Sequence, residues 1–363
     1  WIAKRLKALS RANGDSFVTL EEYSVNLGIS SWEIDFFGRI RSLSKMALEQ
    51  FFATAEARRS AQILLISEVA NAYLTLAADR ENLKLAQSTL ETQQAAYNLI
   101  KRRFDVGIAP ELDLRQVQTR VDAARVDVAK YTDLAAQDEN ALNLLAGSIV
   151  PADLLPAELS VVKPLPDVSP GMSSEVLLRR PDILQAEHLL LAANANIGAA
   201  RAAFFPSVSL TSALGTTSGD LSNLFKSNTF VWNYAARVAL PIFDARIWPA
   251  LKVSKVEKEI AVAQYEKAIQ SAFREVADAL ARRGTLGDQM AAQQSLVDAT
   301  AKTYQLSTSR YEKGIDIYFN VLDAQRSLYS AQQGLIAIRL AKLSNQVQLY
   351  AVLGGGGDSA PRQ

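Results

Sequence analysis

The sequence predicts a mainly α-helical chain built from a duplicated long-helix hairpin, with a few short β-strands of membrane type. Three observations predict this. Two parts of the chain repeat in one register, Arg39 to Val106 contains neither Gly nor Pro, and three short segments alternate strictly between bordering aromatics.

The repeat organises everything else. Gly107 in RRFDVGI and Gly314 in SRYEKGI stand 207 residues apart. The same offset aligns Arg39 with Arg246, Glu68-Val69-Ala70 with Glu275-Val276-Ala277, and Tyr97 with Tyr304. It also aligns Phe104 with Tyr311, Gln118 with Gln325 and Gly147 with Gly354. Shared helical composition accounts for matching alanines, but not for paired glycines and aromatics. Residues 17–150 form the first repeat and 182–354 the second, joined by a Pro-rich linker at 151–181. Residues 1–16 fit nothing that follows and stay unassigned, and 355–363 read as a disordered tail.

Each repeat reads strand, very long helix, glycine break, shorter helix. A helix over Arg39–Val106 would be about 100 Å long, and such a rod needs other rods to pack against. Its counterpart runs from Pro249, suited to a first turn, to Lys313, with Gly284 and Gly287 as soft points. In the shorter helices Leu114, Val117, Val121, Ala124 and Val128 hold a seven-residue period. Val321, Ala324, Leu328, Ala331 and Leu335 hold it again, which implies left-handed coiled-coil packing. A further helix starts at Pro181-Asp182 and becomes small-residued towards Ala202, permitting close helix approach.

The strand candidates are Tyr23–Ser30, Ser207–Leu214 and Phe230–Leu240. In the last, Phe230, Trp232, Tyr234, Ala236, Val238 and Leu240 point one way, with Asn233 and Arg237 opposite. Alternation alone also fits a half-buried sheet. Two details favour a membrane barrel. Trp32, Phe36, Phe37, Phe204, Phe205, Phe230, Trp232, Tyr234 and Phe243 gather at strand ends, as interfacial girdles require. So few strands per chain also cannot hide their edges unless several chains close a barrel.

Composition narrows the function. Lys plus Arg total 39 against 38 acids, so there is no general pull on nucleic acid. Arg102–Arg103 reads as a solvated helix face. Cysteine is absent, which removes disulfides and thiolate metal sites. No cofactor motif occurs. His188, the only histidine, lies in an Ala/Leu-rich helix without evident partners, and Glu21-Glu22 point to opposite strand faces. No catalytic constellation emerges. The densest apolar stretch, Ile63–Ala78, is broken by Ser67, Glu68 and Asn71, which argues against a spanning helix. The chain opens at Trp1 with no signal-peptide pattern, and reads as a fragment or processed product.

Four stretches resemble one family. These are VNLGISSWEIDFFGRIR from Val25, SEVANAYLTL from Ser67, LLRRPDILQAEHLLLAANANIGAARAAFFPSVSL from Leu177, and RYEKGIDIYFNVLDAQRSLYSAQQ from Arg310. Together they are similar to the TolC-like outer-membrane factors of tripartite efflux pumps, near the OprM-type lipoprotein branch. The resemblance spans about Phe17 to Leu353. It implies a homotrimer with a 12-stranded barrel in outer-membrane lipid, four strands per full-length protomer, and a periplasmic α-barrel tunnel. The linker would lie in an equatorial belt. A periplasmic adaptor (membrane fusion) protein and an RND-type inner-membrane pump would dock at the inner end, for passive multidrug export. It further implies a lipidated cysteine, a first long helix and a first strand that this sequence lacks, the strand being missing or replaced by Trp1–Ala12.

The family's periplasmic constriction maps to Tyr311, Asp316, Phe319, Asn320, Asp323 and Arg326, with Asp113 in repeat one. Asp316, Phe319, Asp323 and Arg326 are spaced 3, 4 and 3 apart and would share one helix face. Some relatives carry a base at the Asp316 position and an acid at Asn320, so their salt bridges do not transfer. A soluble coiled-coil scaffold is the competing reading, and it leaves the aromatic-bounded strands unexplained.

Overall fold

The structure is a computed structural model and describes residues 2–11, 17–165 and 174–355. In order come β1 (Ile2–Arg11), β2 (Phe17–Ile34), α1 (Arg39–Asp105), α2 (Glu111–Ala146), α3 (Pro181–Ala202), β3 (Ser207–Ser218), β4 (Phe230–Ala239), α4 (Ile247–Glu312) and α5 (Tyr318–Val352). Short 3-10 turns lie in the linker at Ala152–Leu154 and Leu159–Val161. Residues 166–173 of the linker and 356–363 of the expected tail lie outside the described residues. Gly355 still belongs to the last helix end, its N–H donating to the Tyr350 carbonyl at 2.9 Å.

The duplication survives in the backbone at residue level. Gly107 and Gly314 both take positive φ, +76° and +73°. Each then donates to the carbonyl three back, Phe104 or Tyr311, and Ile108 and Ile315 donate to Arg103 and Arg310. These paired bonds satisfy the orphan carbonyls of a helix end, and they need a residue without Cβ strain. The break is therefore written into one glycine per repeat. Gly284 and Gly287 are not breaks, because α4 runs through both.

One correction concerns the N-terminus. Within the unassigned residues 1–16, Ile2–Arg11 form β1, which pairs antiparallel with β2 from Ile2↔Asn26 to Arg11↔Phe17. Shifted by 207, β1 falls on β3, so the repeat reaches further than the aligned side chains showed. Its Lys/Arg-rich sequence hid the strand, since cationic residues obscure an alternation that only pairing reveals. The sheet order is β1-β2-β3-β4, all antiparallel, with β1 and β4 at the edges. Strand β2 is longer than the Tyr23–Ser30 alternation. A bulge between Ile29 and Trp32 shifts its phase, so period two fails there although the strand continues to Ile34.

Residue contacts divide the chain into two units. One holds Trp1–Ala55 with Gln185–Glu266, the other Glu56–Leu184 with Lys267–Gln363. In the first, the sheet continues into helix starts packed on α3. A Cβ on Gly198 would come within 2.6 Å of Ser42 Oγ, so α3 and α1 approach as closely as the small-residue stretch allows. His188 does have partners here. Its Nδ1 lies 2.8 Å from Glu49 Oε2, and its ring packs on Phe52 at 5.3 Å. They were hidden because they come from another helix, Glu49 lying 139 residues away.

In the second unit the seams behave as the heptads predict. Val117, Val121 and Ala124 are buried, as are Val321, Ala324, Ala331 and Leu335. One window of α1 is apolar enough by length and composition to cross a membrane, with mean hydropathy 1.3. Leu74, Ala77 and Ala78 of the Ile63–Ala78 stretch nevertheless pack against Leu159, Ile336 and Val347, which makes that stretch part of a helical core. The linker is stapled to α1. Arg80 donates to the Pro156 carbonyl, Glu81 accepts the Leu159 and Ser160 amides, and Lys84 pairs with Glu158. A second anchor is Arg180, 7% exposed, which donates to Asp182, to Glu275 and to the Val352 carbonyl.

Candidate functional site

Two regions carry the predicted functional residues. The first surrounds the glycine breaks. Tyr318 is buried with Ile100, Val117, Val321 and Leu322, and Tyr97, Tyr304 and Tyr311 pack around that cluster. Burial and the nearby tyrosines and Asp113 push the Tyr318 phenol up to about 12, so it stays a neutral donor. Tyr311 leans on Tyr318 with ring centres 4.9 Å apart. Arg103 donates to the Tyr311 hydroxyl at 3.1 Å and also sits over its ring, at 5.7 Å from the centroid. Arg103 is thus not a plain solvated residue, and it ties the end of α1 to the end of α4.

The predicted stripe divides. Phe319 and Arg326, exposed, and the half-buried Asp323 lie on α5, on a face separate from the buried Val321–Ala324–Leu335 seam. Arg326 donates to Asp323 at 2.5 Å, one turn away. Asp316 does not share that face. It precedes the first residue of α5 and turns back to accept from Arg310 of α4 at 2.5 Å. Spacing of 3 and 4 predicts a shared face only where the backbone is already helical, and Ile317 is still extended. Arg310 holds the Asp316 carboxyl below the usual aspartate range. Asn320 is exposed in the first turn of α5, and Asp113 is half-buried in the first turn of α2.

The second region is the sheet. Antiparallel partners share a face, so the register sorts every side chain. Trp232, Leu214 and Leu27 form one row, Ala236, Leu210 and Trp32 another, and Val238, Val208 and Ile34 a third. The opposite face carries Asn233 with Ala213 and Gly28, and Arg237 with Ser209 and Glu33. Trp232, Tyr234 and Phe230 are exposed near the β3–β4 turn. Phe36, Phe37, Phe204, Phe205 and Phe243 sit at the other end, where strands pass into helices. There Phe37 stacks on Phe205 with centroids 4.7 Å apart, and Phe204 meets Trp248 edge-on at 5.0 Å. Trp248, 72% exposed, belongs to this group and was missed because it already lies in α4. Its signal was position, a few residues after a strand end. Beside these rings a cavity of about 420 Å³ is lined by Glu33, Asp35, Phe36, Phe205 and Leu240. Arg39 closes on Glu33, its Nε donating at 2.7 Å.

A two-faced sheet whose edge strands have no further partner among the described residues, with duplicated long-helix hairpins, defines a protein of the outer-membrane channel class. The comparisons agree. The outer membrane efflux protein family matches residues 7–148 and 172–355, and the chain belongs to that family. It is 49% identical over 355 residues to a toluene efflux pump outer membrane protein, TtgC of Pseudomonas putida, covering 97% of this chain and 73% of that one. It is 41% identical over 347 residues to the cation efflux system protein CusC of Escherichia coli, covering 94% and 74%. The open state of the Neisseria gonorrhoeae MtrE outer membrane channel superposes with TM-score 0.86 at 38% identity, covering 98% and 80%. The chain is accordingly an outer-membrane efflux protein of a Gram-negative bacterium, an exit duct rather than a soluble scaffold.

Proposed function

We propose that three copies of this protein close into one passive duct, which an adaptor and an inner-membrane pump feed from the periplasmic end. One observation carries the reading: among the described residues each chain has four strands, and both edges of their sheet are unpaired. In lipid such edges must be paired, and three four-stranded sheets make a barrel of twelve. On this reading Trp232 and Tyr234 meet lipid or its interface, Asn233 and Arg237 face the lumen, and the phenylalanine group with Trp248 forms the opposite girdle. The duct does no covalent chemistry. Relatives named for toluene and for cation efflux both match it over nearly its whole length, which supports cargo choice by the pump. Mass measurement in detergent should give a trimer, and a stable monomer or dimer would sink the claim.

The constriction is assigned to α5. Three copies of Phe319 form an apolar ring, three of Asp323 concentrate negative charge one turn further on, and Arg326 partly offsets it. Rings of acids favour cations in narrow pores. Asp323→Asn should therefore lower cation selectivity in planar bilayers, and Phe319→Ala should raise closed-channel conductance. A double mutant unchanged in both would remove this face from the pore.

A further inference from the structure

Asp79 of α1 and Asp138 of α2 face each other across the hairpin of repeat one. The Asp138 Oδ2 is buried without a hydrogen-bond partner, although the Asp79 carboxyl lies within hydrogen-bonding reach of Asp138. Two ionised carboxylates offer acceptors only, so this contact is repulsive until a proton stands between them. Among the described residues no cation forms an ion pair with either acid. Arg80 is committed to the Pro156 carbonyl and Glu139, Lys84 to Glu158, and Arg339 of α5 to Glu81. The other polar neighbours supply no cation: Tyr131 accepts from Gln333 of α5, and Tyr329 of α5 lies by Asp127.

Repeat two provides an internal control. The positions 207 residues on are Leu286 and Asn345. Both are buried, at 5% and 2% exposure, and Asn345 donates to the Ala279 carbonyl at 3.0 Å. Repeat two thus places groups that cannot ionise at both positions. We propose that Asp79 and Asp138 form a proton-binding site that locks α1 to α2 when it holds one shared proton and loosens them when it is empty, making repeat one alone responsive to mild acid. The proton comes from bulk water, forms one O–H···O bond, and reduces the charge of the pair from two to one.

Burial and the Asp79 charge together raise the Asp138 carboxyl from 3.8 to about 6. The folded chain holds this proton more tightly than the unfolded one. Its stabilisation is therefore full below the unfolded value and is lost as pH rises through about 6. Amide hydrogen exchange on the detergent-solubilised protein at about pH 5 and about pH 7.5, corrected for intrinsic rates, reads this directly. Residues 74–84 and 134–142 should lose protection at the higher pH, while 281–291 and 341–349 should not. Asp138→Asn, which copies repeat two, should keep protection at both values. A wild-type chain without the pH step, or a step that persists in Asp138→Asn, overturns the proposal. Infrared difference spectra of the unmodified protein give a second reading. Loss of a protonated carboxyl band on raising the pH supports the site, and its absence overturns it.

Discussion

The two hairpins share a backbone and differ in what they present. Gly107 and Gly314 make the same turn, and Leu142 and Leu349 are buried at equivalent points. The stripe away from the seam diverges: where repeat two has Phe319, Asp323 and Arg326, repeat one has Leu112, Gln116 and Thr119. The staples diverge in the other direction. Arg80, Glu81 and Lys84 clamp the linker in repeat one, and their counterparts are Gly287, Asp288 and Ala291. Duplication preserved what the hairpin needs to fold, a break and a buried seam. It left the outward positions free to become a Phe–Asp–Arg stripe in one copy, where the constriction is proposed, and a clamp in the other.

The sheet offers the largest expected effect. Ala235 and Ala236 are adjacent, equal in size and on opposite faces of β4. Ala236→Arg should cost about 2–4 kcal/mol if it meets mid-bilayer lipid, and Ala235→Arg far less. Barrel refolding titrations would measure both, and equal losses would mean that the two faces do not see different solvents.

A smaller contrast separates the aligned acids Glu68 and Glu275. Glu275 accepts from the buried Arg180 at 2.8 Å, whereas Glu68 is exposed. Glu275→Ala should cost about 1.5–3 kcal/mol by leaving that guanidinium short of a partner, and Glu68→Ala close to none. Denaturation midpoints of the two variants decide it.

Next come the breaks themselves. Gly107→Ala and Gly314→Ala each force a Cβ into the left-handed region, at about 1 kcal/mol apiece. Matching losses in thermal unfolding would confirm that the turns are energetically equivalent. A clear inequality would show that their surroundings, not their backbones, set the strain.

The smallest effect depends on pH. Arg310 holds Asp316 below its ordinary value of 3.8, while the same position in repeat one is Ala109. A depressed carboxyl stabilises above its unfolded value and loses that contribution as pH falls through the folded one. Acid should therefore loosen Ile315–Asn320 before Ile108–Asp113, as amide exchange would register. Parallel loosening would remove any role for the Arg310–Asp316 pair.

Residue order alone determined the duplication, the long helices, the glycine breaks, the heptad seams and three of the four described strands. Those features are periodic, and period is local information that no distant partner need supply. Tertiary structure decided the rest. Strand β1 became legible only through its pairing with β2, and the bulge at Ile29–Trp32 only through the register with β3. Asp316 left the predicted stripe because a guanidinium drew it back before the helix began. Glu49 reached His188, Arg103 reached Tyr311, and Asp79 reached Asp138 across helix contacts. Such pairings depend on the distance between side chains, and distance between residues far apart in sequence is fixed by packing rather than by spacing along the chain.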